Sequence, residues 1–275
     1  MNDKVSTHYG SGGDLADRIA GSLRSQGRDL ADLQPSDLSY IDEFHLLGRR
    51  ATLRLAAQLQ LTAHSRVVDI GSGLGGAART LAAEYGCHVT GIDLTPAYCE
   101  VAGVMSNWVG LAARTSFQLG DATRMPFAGQ QFDAAISLHA AMNIAARDRL
   151  YDEARRVLVP GSRFAVFDIL QGEGGEALYP APWAREPSIS HLVTREAMQQ
   201  LLSGAGFDIL EIHDSTAESL EWLRARSAGA RPGGTPPVTS KILFGDDFDW
   251  PQMVRNQLRG LEERRIRTVS FVCVA

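Results

Sequence analysis

Cysteine is scarce in this chain, with three among 275 residues, at positions 87, 99 and 273. So scattered a set supplies neither a disulfide frame nor the clustered thiols of a zinc site. Two of the three stand in apolar runs, as buried thiols in a reducing compartment do. Long apolar runs are missing too: none approaches the ~20 residues that cross a bilayer. The Met-Asn-Asp-Lys start lacks a basic stretch followed by an apolar one. Neither a membrane span nor a secretory leader is expected, and a cytoplasmic location is. Nor is there a basic block, since 27 Lys and Arg face 32 Asp and Glu for a formal charge of −5. That balance is wrong for a surface that tracks phosphates, so nucleic acid is not an expected partner. Internal repeats and low-complexity tracts are also absent. The 44% hydrophobic content that remains is ample to bury the core of one α/β domain with elaborations.

Against those absences, one segment stands out. Residues 67–76, Val-Val-Asp-Ile-Gly-Ser-Gly-Leu-Gly-Gly, end an apolar strand in a glycine turn that opens a helix. Glycines 71, 73 and 76 satisfy G-x-G-x-x-G, which lets backbone turn sharply and approach a ligand closely. Alone the pattern is weak. Asp69, two residues before the first glycine and placed by this reading at the mouth of the site, sharpens it. A carboxylate there would repel a dinucleotide pyrophosphate but attract a ligand carrying an ammonium and a sulfonium, such as S-adenosylmethionine. Asp93, after a second strand over 87–92, is placed to accept hydrogen bonds from both ribose hydroxyls; NAD enzymes use the same device. Asp121, beyond a third short strand over 115–119, is placed to accept an adenine amino group, which a nicotinamide enzyme does not require of it.

The strings VVDIGSGLGGAARTLA, GIDLTP, GDATRMPFAGQQFD and ARRVLVPGSRFAVFDI together resemble the class I, Rossmann-like S-adenosylmethionine-dependent methyltransferases. Within them the likeness is to the small-molecule group that includes the sarcosine/dimethylglycine, tocopherol and ubiquinone/menaquinone enzymes. It covers residues 60–215. The resemblance implies S-adenosyl-L-methionine as cofactor and S-adenosyl-L-homocysteine as product. It further implies Asp69 with Gly71, Gly73 and Gly75 at the methionine end, Asp93 and Leu94 at the ribose, Asp121 with the Ala122 amide at the adenine, and Leu138 at the methyl-facing end of strand four. Ser162 departs from the P-G-G turn usual in the family, although Pro160-Gly161 still suffices for a turn.

Strand and helix signals alternate as an α/β fold requires. Apolar residues at Phe44, Leu47, Ala51, Leu55 and Leu59 mark one covering helix over 36–61. Strand one (66–70), a helix (75–85), strand two and a helix started by Thr95-Pro96 follow. Strand three leads to strand four (132–138), a helix (148–158), strand five (163–170), a helix (194–205) and strand six (207–212). The β-branched run 267–274 is the seventh strand, which the resemblance places antiparallel between five and six. The expected fold is thus a Rossmann-like, seven-stranded, mostly parallel sheet with helices on both faces and an antiparallel last strand, plus an N-terminal helical lid and cap insertions. In domain terms, 1–60 form the lid and covering helix. Residues 61–275 form the methyltransferase core, with acceptor-side insertions at 171–193 and 216–264.

Methyl transfer from a sulfonium needs in-line alignment and exclusion of water, and a general base only when the nucleophile arrives protonated. His139, directly after strand four, is the candidate base or pocket-lining residue, and equally a structural histidine bonded to a loop carbonyl. Tyr9 is the second candidate, able to close over the sulfonium or to anchor a lid. Asn143 reads as an acceptor contact or a helix cap, and His45 as a hydrogen-bonded, half-buried histidine. Trp183 and His191 read as pocket wall or loop packing, Arg49 and Arg50 as a solvated face. Asp168 ends strand five without a second acid after strand four, so no metal is expected. The acceptor is expected to be a small molecule with a nitrogen, oxygen or carbon nucleophile, and the protein a monomer or homodimer. Two other functions fit part of the pattern: an NAD(P)-dependent Rossmann oxidoreductase and a non-catalytic S-adenosylmethionine-binding protein.

Overall fold

Seven strands form one sheet in the computed structural model, which describes residues 15–228 and 248–275: β1 (Arg66–Ile70), β2 (His88–Asp93), β3 (Thr115–Leu119), β4 (Phe132–Leu138), β5 (Leu158–Gln171), β6 (Asp208–Asp214) and β7 (Ile266–Val274). Their order is β3-β2-β1-β4-β5-β7-β6. Strands β1 to β5 pair in parallel, and β7 runs antiparallel between β5 and β6, as the sequence implies. The chain moves outward from β1 to β3 and then returns to β4 beside β1. That reversal opens a crevice at the carboxyl ends of β1 and β4, where open α/β sheets bind ligands.

The central strands are legible in sequence because both their faces are covered. Along β4 and β5, Ala134, Ile136, Ala165 and Phe167 enter one apolar cluster, while Ala135, Phe164 and Val166 enter the opposite one. The first cluster is covered by α3 (Arg49–Ala56), α4 (Gly76–Tyr85), α8 (Thr216–Ala228) and α9 (Trp250–Glu262) through Leu55, Leu81, Leu223 and Leu261. The second is covered by α6 (Arg147–Val157) and α7 (Arg195–Gly204) through Leu150, Tyr151, Met198 and Leu202. A third cluster stacks α1 (Leu15–Ser25) and α2 (Pro35–Asp42) on α5 (Pro96–Trp108): Ile19, Leu23, Leu38 and Ile41 meet Val101 and Met105. Residues 15–25 are therefore a packed helix, and the expected lid residue Tyr9 lies outside the described residues, as does the Pro/Gly-rich stretch 229–237.

The single covering helix expected over 36–61 is instead two helices, α2 and α3, separated by a break at 43–48. Leu47 and Gly48 there adopt positive φ of 66° and 50°, a region that non-glycine residues seldom occupy. At the end of α2, Asp42 abuts the first residue of α4 so closely that a Cβ on Gly76 would fall 2.5 Å from the Asp42 carbonyl oxygen. The third glycine of the G-x-G-x-x-G pattern thus serves helix packing. Gly76→Ala is expected to destabilise the protein by about 1–3 kcal/mol through overpacking, read as a lower denaturation midpoint at unchanged slope. An unchanged midpoint would mean that α2 is not held against α4.

Candidate active site

The turn from β1 into α4 is built by left-handed backbone: Gly71, Gly73 and Gly75 have φ of 76°, 52° and 78°. Only glycine enters that region without a steric penalty. Gly71 also faces Ala140 so closely that an added Cβ would lie 2.4 Å from its Cβ. The turn is tied down from β2, since the Gly71 and Ser72 amides donate to the Ile92 carbonyl at 2.9 and 3.1 Å. The Gly73 amide donates to Asp93 Oδ2 at 2.8 Å. From below, the buried Arg79 guanidinium donates to the Leu74 carbonyl and to Asp42 Oδ2, the latter at 2.7 Å.

A cavity of about 990 Å³ opens above this turn. Its loop-side wall carries Asp69, Gly71, Gly73, Asp93, Leu94, Asp121 and Ala122, with Leu138 beside them on β4. All the residues expected to bind the cofactor therefore converge on one cavity, except Gly75. That glycine instead ends the turn before α4, beneath the Phe117 ring. Asp69 does not stand at the mouth as expected. It lies within β1, 2% exposed, and forms part of the cavity wall. Burial, reinforced by the charges of Asp93 and Glu43, pushes its carboxyl up to about 7, and Oδ2 has no hydrogen-bond partner among the described residues. Asp93 is also raised by burial, and its Oδ1 accepts the Thr95 amide at 2.9 Å. Asp121 Oδ1 accepts the amide and hydroxyl of Thr123 at 2.8 and 2.7 Å.

Also lining the cavity are Trp183, Trp222, Leu223, Val254 and Leu258 from the insertions, with Met142 after β4 and Ile169 on β5. Where these meet the loop side stands His139. This residue leaves β4 with φ of 51°, its amide donating to the Phe167 carbonyl at 2.7 Å. Its ring lies 4.9 Å from that of Phe167 and 5.9 Å from that of His45. Nε2 is buried without a partner among the described residues. Burial, and then His45, hold its pKa well below the ordinary histidine value, so the imidazole is neutral at neutral pH. His45 is hydrogen-bonded as expected, with Nε2 3.0 Å from the Gly48 carbonyl oxygen. It is fully buried, however, and burial lowers it to about 4.

Several other readings are revised by their surroundings. Asn143 lines the cavity, and its side-chain amide donates to the Trp183 and Ile189 carbonyls, both at 2.8 Å, which pins the insertion 171–193 to the end of β4. Trp183 lines the cavity, whereas His191 does not. Arg49 and Arg50 are not a merely solvated pair, for they reach Glu84 and Glu218 at 2.5 and 2.8 Å. Asp168 lies inside β5, wholly buried, 3.8 Å from Arg147. Glu43 was not anticipated. Its carboxylate is buried beside His45 and accepts hydrogen bonds from the Thr52 hydroxyl and, at 2.7 Å, the Thr80 hydroxyl. The clue available was two acids, Asp42 and Glu43, adjoining the apolar stripe of a helix meant to cover the sheet.

Residues 68–166 match the methyltransferase domain family. Methyltransferase GfsG of Streptomyces halstedii is 30% identical over 231 residues, which cover 78% of this chain and 81% of that protein. O-methyltransferase resE of Aspergillus sclerotiorum is 28% identical over 183 residues, 65% of this chain and 68% of that one. Among solved structures, geranyl diphosphate C-methyltransferase from Streptomyces coelicolor A3(2), in complex with Mg2+, geranyl diphosphate and S-adenosyl-L-homocysteine, shares the fold. The TM-score is 0.67 over 82% of this chain and 78% of that one, at 15% identity. The nicotinamide alternative accounts for neither these relationships nor the acids at 69 and 121. The chain belongs to the class I S-adenosylmethionine-dependent methyltransferases and is an enzyme that transfers the methyl group of that cofactor to a small molecule.

Proposed function

We propose that the enzyme methylates a hydroxyl oxygen on a bulky, uncharged, largely apolar acceptor, with His139 as general base. The observation that carries this reading is the two-sidedness of the cavity. Asp69, Asp93 and Asp121 stand on one wall, tryptophan and aliphatic side chains on the other, and the neutral imidazole of His139 at the join. Of the acids lining the cavity outside the donor wall, Asp42 is paired with Arg79 and Glu43 accepts from Thr52 and Thr80, while Met142, Ile169, Trp183, Trp222, Leu223, Val254 and Leu258 add no carboxylate to hold an ammonium group. The Arg226 guanidinium, 5.2 Å from the Trp222 ring centroid, would repel one. An amine such as sarcosine is therefore disfavoured, although the resemblance includes enzymes of that kind. The relationship to an O-methyltransferase supports an oxygen acceptor.

The residues present fit S-adenosylmethionine, whose activated methyl group is the chemistry it supplies when bound. Asp69 Oδ2, an orphaned acceptor on the cavity wall, suits its cationic methionine end. Each Asp93 oxygen retains a lone pair beyond its backbone bond, as two ribose hydroxyls require. Asp121 and the Ala122 amide serve the adenine. The apolar wall excludes water, and the neutral His139 imidazole would take the hydroxyl proton as the oxygen–methyl bond forms and the sulfur–methyl bond breaks, its electron pair staying with sulfur.

Because the Asp69 carboxyl is pushed up to about 7, about half of it is protonated at pH 7 before binding. A nearby cation favours the ionised form. Binding therefore releases protons, and S-adenosylmethionine affinity rises with pH through neutrality. Calorimetry in buffers of different ionisation enthalpy should report release of about half a proton at pH 7, and none from Asp69→Asn. Proton uptake by the parent enzyme would remove Asp69 from the donor site. Asp93→Ala should weaken S-adenosylhomocysteine binding tenfold or more, on the basis of roughly 1–3 kcal/mol for each group left unpaired; unchanged binding would move the ribose contact elsewhere. For the acceptor, formation of S-adenosylhomocysteine should be faster with 2-naphthol or a hydroxysteroid than with sarcosine. His139→Ala should abolish that turnover while product affinity stays within about twofold, since uniform binding is not what a base contributes. Preference for sarcosine, or full turnover by His139→Ala, would overturn the reading.

A further inference from the structure

One polar side chain on the acceptor side takes no part in holding the fold. Helix α9 buries Met253, Gln257, Gly260 and Leu261, the i, i+4, i+7, i+8 spacing of a core-facing stripe. Glutamine is the odd member of that stripe. It is 6% exposed and lines the cavity together with Val254 and Leu258 of the same helix. Its amide makes no hydrogen bond among the described residues, yet neither its oxygen nor its nitrogen is sealed inside protein. The surface it keeps is on the cavity side. The other amides of α9 are engaged: Gln252 donates to Asn256 Oδ1 at 2.7 Å and accepts from Arg255 at 2.8 Å, and Asn256 donates to the Pro180 carbonyl at 2.9 Å. A carboxamide at a core position costs stability unless its groups are paired. Leucine or methionine would complete the stripe without that cost.

We propose that Gln257 determines acceptor specificity: its carboxamide hydrogen-bonds a second, uncharged oxygen, hydroxyl or carbonyl, that the apolar skeleton carries in addition to the hydroxyl that is methylated. The inference rests on the proposed acceptor class and narrows it. Two properties of the side chain select this group. A carboxamide offers two N–H donors and one carbonyl acceptor, so it serves a hydroxyl through either atom and a carbonyl through nitrogen. It carries no charge, and so gives a buried carboxylate or ammonium none of the compensation that burial demands. In an apolar chamber such a group discriminates sharply, because an acceptor that lacks the oxygen displaces water and leaves the amide unpaired. A hydrocarbon skeleton bearing only the reactive hydroxyl is therefore the poorer ligand. The cofactor, held on the donor wall, is indifferent to the exchange of this side chain.

Pairs of ligands that differ only in the second oxygen test this. Estradiol and estrone are compared with the analogue that lacks the D-ring oxygen, and naphthalene-2,6-diol with 2-naphthol; the two steroids separate a hydroxyl from a carbonyl. Equilibrium dialysis against enzyme saturated with S-adenosylhomocysteine reads binding without any methyl transfer, so failure of the oxygen-methylation reading leaves this comparison standing. In at least one pair the parent should bind the oxygenated member about tenfold or more tightly. Gln257→Leu should bring the two members within about twofold, by losing affinity for the oxygenated one, while S-adenosylhomocysteine affinity stays within about twofold. Its denaturation midpoint should be unchanged or higher, since an unpaired amide has been removed from a buried stripe. Gln257→Met, unbranched and of similar length, repeats the comparison should leucine disturb the packing. Equal or undetectable binding of both members of every pair by the parent, a preference that persists in both variants, or a midpoint lowered in both, which would make the amide a structural group, would overturn the proposal.

Discussion

The constraint on which the rest of the site depends is the burial of Arg79. Its side chain is 1% exposed on the first turn of α4 and reaches four groups at once: Asp42 at the end of α2, the Leu74 carbonyl in the glycine turn, and the Ala102 carbonyl and Ser106 hydroxyl of α5. A buried ion pair adds little net stability, because desolvation offsets the attraction. Removing one partner, in contrast, costs about 3–5 kcal/mol since the other charge is left uncompensated. The pair therefore works mainly as a register device. Any arrangement in which α2 slides along α4 strands a guanidinium in the core, so the cofactor turn, α2 and α5 can assemble in only one way.

From that register the proposed catalytic corner follows. Asp42 is held over Gly76 where α2 ends, and the chain turns through Leu47 and Gly48 before α3. The turn sets Glu43 and His45 against the end of β4, where His139 has its own left-handed backbone. Asn143, four residues further on, fastens the Trp183 segment to the same strand end. One small region of backbone thus ties the donor turn, the proposed base and the acceptor wall together. A displacement of any of them would be felt as misalignment of the methyl group, to which in-line transfer is very sensitive.

Most of the fold and of the donor wall was legible in the sequence because each rests on a local rule. Strands buried on both faces read as continuous apolar runs. Asp69 and Asp93 stand at the ends of β1 and β2, and Asp121 just after the edge strand β3, where a parallel sheet delivers side chains to its carboxyl edge. The break at 43–48 was not legible, since apolar residues keep helical spacing across it and periodicity does not register a reversal in φ. Gly48 was the one local hint. Asp69 was assigned to the mouth because an acid is ordinarily solvated; its burial depends on neighbours from β2 and β4 that only the tertiary fold supplies. Gly75 was grouped with the ligand-lining glycines for its position in the run, whereas its role is set by Phe117 from a strand forty residues away in the chain. The same holds for Asp168, whose partner Arg147 lies on another element.

The distribution of charge gives these separate features a common logic. Asp42 and Glu43 line the same cavity and are answered by Arg79, Arg49 and threonine hydroxyls. Asp69 forms no ion pair among the described residues: it is buried on the wall, raised by burial and by Asp93 and Glu43, and its Oδ2 has no partner there. In the proposed reaction that imbalance is met most fully by the donor, whose methionine end carries a sulfonium as well as an ammonium. Transfer converts the sulfonium into a neutral thioether and leaves the ammonium as the cation at that end. With less opposing charge, a carboxyl with a pKa of about 7 recovers a proton at neutral pH more readily than one near 4 would. In that proposal the burial of Asp69 gives the donor wall a carboxyl whose charge follows the charge of its ligand.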